Sequence, residues 1–363
     1  MTTRRSVIAG LAAAPALAAP ALGTLAAPAR AQERIEWRMV TSWPRNLPGP
    51  GVTAQRLADR IGEMSGGRLT VTLYAAGEVV PPLEVFQAVS DGTAQMAHTA
   101  SLFWGGTVPA APLFTAGPFG LTPLEHVTWI EHGGGQDVWD ELYRPYGLKP
   151  FMGGNTGFQM GGWFRERLQG LESLQGLRIR MPGLGGEVMR RLGAAPVTLP
   201  PGDIFTALQT GLIDATEFLG PFSDFAAGFW RVAKFYYAPG WHEPNGTGEA
   251  LVSLSALEAL PADLQAIVRH ACMAENAYAL AESEWQNAAQ LRTLVGEKGV
   301  EVVDYPSDIV DAARTATVGV LDDLAARDEG SNKAVASYRA AREHLEDWSR
   351  VSVQKFLAVR SAS

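Results

Sequence analysis

The chain holds a single cysteine, Cys272, among 363 residues. With no second thiol it forms no internal disulfide, and with no cysteine neighbours it offers no structural zinc site. Basic residues never cluster and the formal net charge is −8, so the footprint of a nucleic-acid binder is missing. Past residue 31 no uncharged apolar run reaches the roughly 18 residues that a spanning helix needs. No G-x-S-x-G elbow occurs, which removes one common nucleophile architecture. The histidines, at 98, 126, 132, 242, 270 and 344, contain no i, i+4 pair. Trp241-His242-Glu243-Pro244-Asn245 opens like a zinc-protease helix, but Pro244 and the missing second histidine defeat that geometry. Gly183-Leu184-Gly185-Gly186 has neither the GxGxxG spacing nor the GK[ST] ending of a phosphate loop and reads as a strand-to-helix connection. Cys272 stands in an Ala-rich helical stretch, where a thiol is normally an inert core group.

What is present is a globular composition, 47% hydrophobic and 19% charged, on a length that calls for about two domains. Thr3-Arg4-Arg5-Ser6 precedes an uncharged Ala- and Leu-rich stretch that lasts until Arg30. This is the layout of a twin-arginine export signal over residues 1–31, with Ala29-Arg30-Ala31 as a small-x-small cleavage site. A retained membrane anchor is the other reading, and Pro15, Pro20 and Pro28 weaken it. Without Arg4, Arg5 and Arg30 the mature chain has 27 basic against 38 acidic residues. It is an acidic exported protein, placed in the periplasm.

The pattern after residue 36 alternates strand and helix: strand 36–41, a helix through Leu57, Ile61 and Met64, strand 69–74, a helix through Val85, Phe86 and Val89, strand 95–99. The order repeats as strand 177–181, helix 186–192, strand 196–199, helix 203–209 and strand 213–217. Residues 81–92 lie over residues 200–211 at an offset of 119, with five of twelve positions identical. Internal duplication explains this, and so does the shared need for Pro to start a helix and Gly to end it. Either way the expectation is an α/β fold of two similar lobes with a cleft at the strand ends near His98 and Glu217. The expected divisions are 32–154 with a return segment at 243–295 for the first lobe, 155–242 with 296–330 for the second, and a C-terminal helix over 331–363. On that helix Val335, Tyr338, Ala341, Leu345 and Trp348 form one stripe, able to cover the protein's own lobes or a second chain.

Polar residues at predicted strand ends and loops of the second lobe are Asn155, Gln159, Arg180, Glu217 and Glu243. An arginine at a strand's carboxyl end presents a planar fork that matches a carboxylate. Gln159, Glu217 and Glu243 supply oxygen only, the donor that hard cations take. Taken alone, all of these read as ordinary surface groups.

Asn155-Thr156-Gly157-Phe158-Gln159, residues 177–183, Gly211-Leu212-Ile213-Asp214-Ala215-Thr216-Glu217 and Gly240-Trp241-His242-Glu243 resemble, in order, motifs of the solute-binding proteins of TRAP (tripartite ATP-independent periplasmic) transporters. The likeness is greatest to the branch for 2-oxo acids and related monocarboxylates, over roughly residues 36–356. The resemblance implies a two-lobed periplasmic binding protein, type II-like, that is not an enzyme and hands its ligand to membrane subunits. It implies that Arg180 grips the ligand carboxylate, that Asn155, Gln159 and Phe103 contact the ligand, and that Gln159, Glu217, the Phe218 carbonyl and Glu243 hold Na⁺ or Ca²⁺. It also implies a possible homodimer through the C-terminal helix. Phe218 stands where tryptophan is expected, and Ser101-Leu102-Phe103-Trp104 replaces a tyrosine-rich stretch, which favours a more apolar or larger acid. Two Glu plus a ligand carboxylate are better balanced by Ca²⁺ with Arg180 than by Na⁺. The competing reading is an exported metal-dependent enzyme in which Glu217 or Glu243 acts as general base. A periplasmic sensor without a transporter is a third.

Overall fold

The computed structural model describes residues 34–361; the export signal expected over 1–31 lies outside them. The first repeat forms β1 (Ile35–Thr41), α1 (Pro50–Met64), β2 (Leu69–Tyr74), α2 (Val85–Ser90) and β3 (Met96–Thr99). Pro50 starts α1, and Ala54, Leu57, Ala58 and Ile61 form its buried stripe. Gly66 and Gly67, at φ 62° and 77°, end the helix in a conformation that glycine adopts without a Cβ clash. A turn of 3₁₀ helix, Ser101–Trp104, follows β3. Two helices, α3 (Pro123–His132) and α4 (Gly135–Tyr143), lead to β4 (Leu148–Asn155). A reciprocal box between Thr122 and Glu125 caps α3.

The chain then passes to a second sheet through β5 (Gly162–Phe164). The second repeat follows as β6 (Arg178–Arg180), α5 (Gly183–Arg191), β7 (Ala195–Val197), α6 (Ile204–Thr210) and β8 (Ala215–Thr216). After α7 (Pro221–Ala227) and β9 (Phe235–Ala238) it returns to the first sheet as β10 (Thr247–Ser253). The strand orders are β2-β1-β3-β10-β4 and, with β11 (Glu301–Asp304), β11-β9-β5-β8-β6-β7. Within each repeat the first strand lies between the other two and pairs with both in parallel. The two repeats therefore share one topology, and the 119-residue offset aligns α2 with α6 and β3 with β8. β10 and β5 are antiparallel to their neighbours, because both enter from the opposite sheet. Neither departure from a parallel sheet shows in the local sequence pattern.

Between α8 (Leu254–Glu258) and β11 runs α9 (Ala262–Lys298), 37 residues and so about 55 Å long. It packs on β4 and α1 at one end and on α7 at the other, tying the two sheets together. The chain closes with α10 (Ser307–Ala325), α11 (Glu329–Ser349), a π-helical turn and α12 (Lys355–Ser361). Val335, Tyr338 and Ala341 of the expected stripe are buried against the protein itself, while Trp348 is 68% exposed. No described helix is long and apolar enough to cross a membrane.

Burial without a counter-charge pushes the Glu249 carboxyl of β10 up to about 7. Between the unfolded value of 4.5 and that point, the unfolded chain has lost a proton that the folded chain keeps, so stability falls as pH rises. This contribution is fully present below the unfolded value and is lost by neutrality, a change of about 3 kcal/mol at most. Melting curves from pH 5 to 7.5 should show a falling Tm, and Glu249→Gln should flatten the slope. An unchanged slope in that variant would show that Glu249 is not the group responsible.

Candidate functional site

The chain crosses between the sheets at residues 156–161 and 239–246, and these crossings carry Gln159 and Glu243. Arg180 ends β6 and Glu217 follows β8, the two strands being paired with Arg180 opposite Thr216. Strand register therefore sets arginine and glutamate side by side. Contrary to the solvated roles that local sequence suggests for them, Arg180, Glu217, Gln159 and Glu243 are buried to 95% or more.

Arg180 Nη1 donates to the Glu217 carboxylate and, at 3.0 Å, to the Glu217 carbonyl, while Nε donates to the Leu199 carbonyl at 3.4 Å. Its guanidinium carbon lies 5.7 Å from the centroid of the Phe218 ring, so Phe218 backs the arginine with an aromatic face. The other Glu217 oxygen accepts from His242 Nε2 at 3.2 Å. Glu217, His242 and Glu243 each place a donor atom within 4.8 Å of the others. Burial first, and the neighbouring Glu217 charge second, hold the Glu243 carboxyl well above the ordinary carboxylate range, against the opposing pull of Arg180. Gln159 Nε2 donates to Thr156 Oγ1 at 3.1 Å, and its Oε1 is buried with no partner among the described residues. Gly246 lets that amide approach, since a β-carbon there would stand 2.2 Å from Gln159 Nε2.

These groups line a small cavity of about 40 Å³. Its far wall is Trp43, Pro50, Ala100, Leu102 and Phe103, with Phe218 and Leu219 beside the polar end. A larger depression of about 720 Å³ between α3, α4 and α9 has no comparable set of buried converging polar groups. The unpartnered Gln159 oxygen and the neighbouring carboxylates of Glu217 and Glu243 fit a hard cation, whose charge would offset the burial and the Glu217 repulsion that raise Glu243. The Phe218 carbonyl belongs to the same turn.

Asn155 does not line the cavity: its Nδ2 donates to Asn245 Oδ1 at 2.8 Å and its Oδ1 accepts from the Gly157 N–H at 2.8 Å. The strand end near His98 reaches the cavity through Ala100, while the His98 ring itself is buried. Its Nδ1 accepts from Trp43 Nε1 at 2.8 Å and its Nε2 donates to the Gly153 carbonyl at 3.2 Å, so it ties Trp43 of the cavity wall to β4. Burial pushes its pKa down to about 4 and keeps it neutral. His242 is the residue that sequence reasoning passed over, because its motif fails as a metalloprotease helix; its adjacency to Glu243 was the available signal.

A fold of two sheets bridged by crossing segments, with buried charge at the crossings, defines a two-lobed ligand-binding protein. The chain belongs to the bacterial extracellular solute-binding protein family 7 (DctP), whose pattern matches residues 40–328. It is 37% identical over 329 residues, 91% of this chain and 90% of the other, to the monocarboxylate 2-oxoacid-binding periplasmic protein all3028 of Nostoc sp. strain PCC 7120. Among solved structures it is similar to a TRAP periplasmic solute-binding protein from Pseudoalteromonas atlantica T6c with bound sodium and pyruvate. There the identity is 36% and the TM-score 0.87, covering 90% of this chain and 99% of that one. It is likewise similar to a TRAP transporter solute-binding protein from Bordetella bronchiseptica RB50, a mixed-occupancy dimer with calcium and picolinate in its occupied site. There the identity is 34% and the TM-score 0.88, covering 91% of this chain and 100% of that one.

Glu217→Gln removes one charge from the carboxylate pair while keeping the shape. It should weaken Ca²⁺ binding at least about tenfold, read by calorimetric titration. Calcium affinity equal to that of the unaltered protein would place the cation elsewhere.

Proposed function

We propose that this chain is the periplasmic solute-binding component of a TRAP transporter. It captures a small 2-oxo or 2-hydroxy monocarboxylate through Arg180 and a bound cation and delivers it to the membrane subunits. The observation that carries this reading is the convergence of one guanidinium, two carboxylates and an unpartnered amide oxygen on a single cavity whose opposite wall is apolar. Relatives above 30% identity hold pyruvate with sodium or picolinate with calcium, both acids with a second donor beside the carboxylate.

In this reading Gln159, Glu217, Glu243 and the Phe218 carbonyl hold Na⁺ or Ca²⁺, and the ligand carboxylate and its α-oxygen bridge cation and arginine. Arg180 keeps Nη2 for the ligand, since only Nε and Nη1 are bonded to described residues. Phe103 and Leu102 meet the ligand's tail. Asn155, whose amide is bonded to Asn245, supports the crossing strands beneath the ligand. Lobe I is 32–154 with 243–295, lobe II is 155–242 with 296–330, and ligand contact with both favours the closed form. Export uses the twin-arginine leader. The enzyme alternative has no observation in its favour.

The test is titration of protein unfolded and refolded free of ligand, against pyruvate, longer 2-oxo acids, lactate and picolinate. One-to-one binding with the acid recovered unaltered is expected; turnover of the acid, or no binding across the panel, would overturn the reading. The exposed Trp348, Phe356 and Val359 of the terminal helices are further assigned to a homodimer contact. Light scattering should give twice the chain mass, reduced to one chain by deleting residues 348–363. A monomer before deletion would dismiss the contact.

A further inference from the structure

A groove of about 390 Å³ adjoins the ligand cavity, and Leu102 and Phe103 are the two residues that line both. The cavity itself offers about 40 Å³. Pro112, Leu184, Val320 and Leu324 line the groove, so a chain of methylenes that entered it would meet carbon. Two of its charged lining residues, Arg190 and Arg191, are paired with Glu187 and Asp323.

The other apolar residues of the cavity are backed by core. Trp43 and Ala100 are packed into one buried cluster, Phe218 and Leu219 into another. Truncating one of these leaves a blind hole, whereas truncating Leu102 or Phe103, both half-buried, joins the cavity to the groove. The turn that carries the pair is pinned. The Leu102 N–H donates to Thr115 Oγ1 at 3.2 Å, the Phe103 N–H donates to the Ala100 carbonyl at 3.2 Å, and the buried Trp104 beside them donates to Glu249 at 2.8 Å. Leu102 also closes against the second sheet: a β-carbon at Gly183, the first residue of α5, would stand 3.3 Å from Leu102 Cβ.

We infer that Leu102 and Phe103 form a partition that sets the length of the acid this protein accepts. The inference rests on the function proposed above, in which the carboxylate and α-oxygen occupy the polar end and the tail runs toward these two side chains. Pyruvate and 2-oxobutyrate end before the partition. A longer chain has to force a pinned, packed wall aside, and overpacking of that kind is unfavourable. The apolar turn, whose sequence alone favours a larger acid, thus acts as a stop, and the room for a larger acid lies on its other side.

The test is calorimetric titration in saturating Ca²⁺ with pyruvate, 2-oxobutyrate, 2-oxohexanoate and 2-oxooctanoate. The unaltered protein should bind 2-oxooctanoate at least about 100-fold more weakly than pyruvate. Phe103→Ala should bind 2-oxooctanoate at least about tenfold more tightly than the unaltered protein does, with no gain for pyruvate. A gain of affinity is not imitated by misfolding, and Leu102→Ala gives the same reading if Phe103→Ala does not fold. Unaltered protein that binds 2-oxooctanoate as tightly as pyruvate would overturn the partition, and so would a variant that binds pyruvate but gains nothing for the longer acids. Failure of the unaltered protein to bind any acid of the series would fault the functional reading instead. A crystal structure of Phe103→Ala then still decides the partition: cavity and groove joined into one space support it, and two spaces still separate overturn it.

Discussion

Glu217 and Glu243 bury two carboxylates where the chain supplies one guanidinium, that of Arg180. Such a set is costly in a low-dielectric interior unless further positive charge or hydrogen bonds compensate it. The fold meets part of the demand: Arg180 and His242 both donate to Glu217, while Glu243 is raised toward its neutral form. The remainder is what makes the site selective. In the function proposed above, a cation completes the charge balance of the carboxylates and an acid completes the coordination of the cation, so each partner improves the site for the other.

The architecture holds that arrangement in place from both sheets. Glu217 and Arg180 are fixed by the β6–β8 pairing, within one sheet. Gln159 and Glu243 sit on the segments that pass between sheets, where Asn155, Asn245 and Thr247 bond the two crossings together. Ser223 Oγ donates to the Pro48 carbonyl across the cleft at 2.9 Å, a direct link between the sheets near the cavity mouth. On the apolar side Trp43 is held by His98, so its indole N–H is spent and the wall presents carbon to the ligand.

Much of this was legible in the sequence, for identifiable reasons. Helix and strand periods and Pro/Gly punctuation are local signals, and they place both β-α-β-α-β repeats within a few residues. Arg180 and Glu217 stand at strand ends that a period-two reading locates. Their burial was not legible, because it depends on β5 and β10 entering as antiparallel strands from the opposite sheet. Asn155 looks like a free polar residue until Asn245, 90 residues on, is paired with it. His242 was set aside because its local motif fails, although its role comes from Glu217, 25 residues earlier. Resemblance to the family supplied the ligand set that residue chemistry alone left open.

In the proposed function, acid and cation bind as one unit against Arg180, Glu217 and Glu243. The most direct test is the affinity for pyruvate measured over a range of free Ca²⁺, on protein stripped of ligand. If the two are coupled at one site, affinity rises in proportion to Ca²⁺ until the cation saturates, and pyruvate tightens Ca²⁺ binding by the same factor. Tight pyruvate binding that is indifferent to Ca²⁺ and Na⁺ would contradict the account.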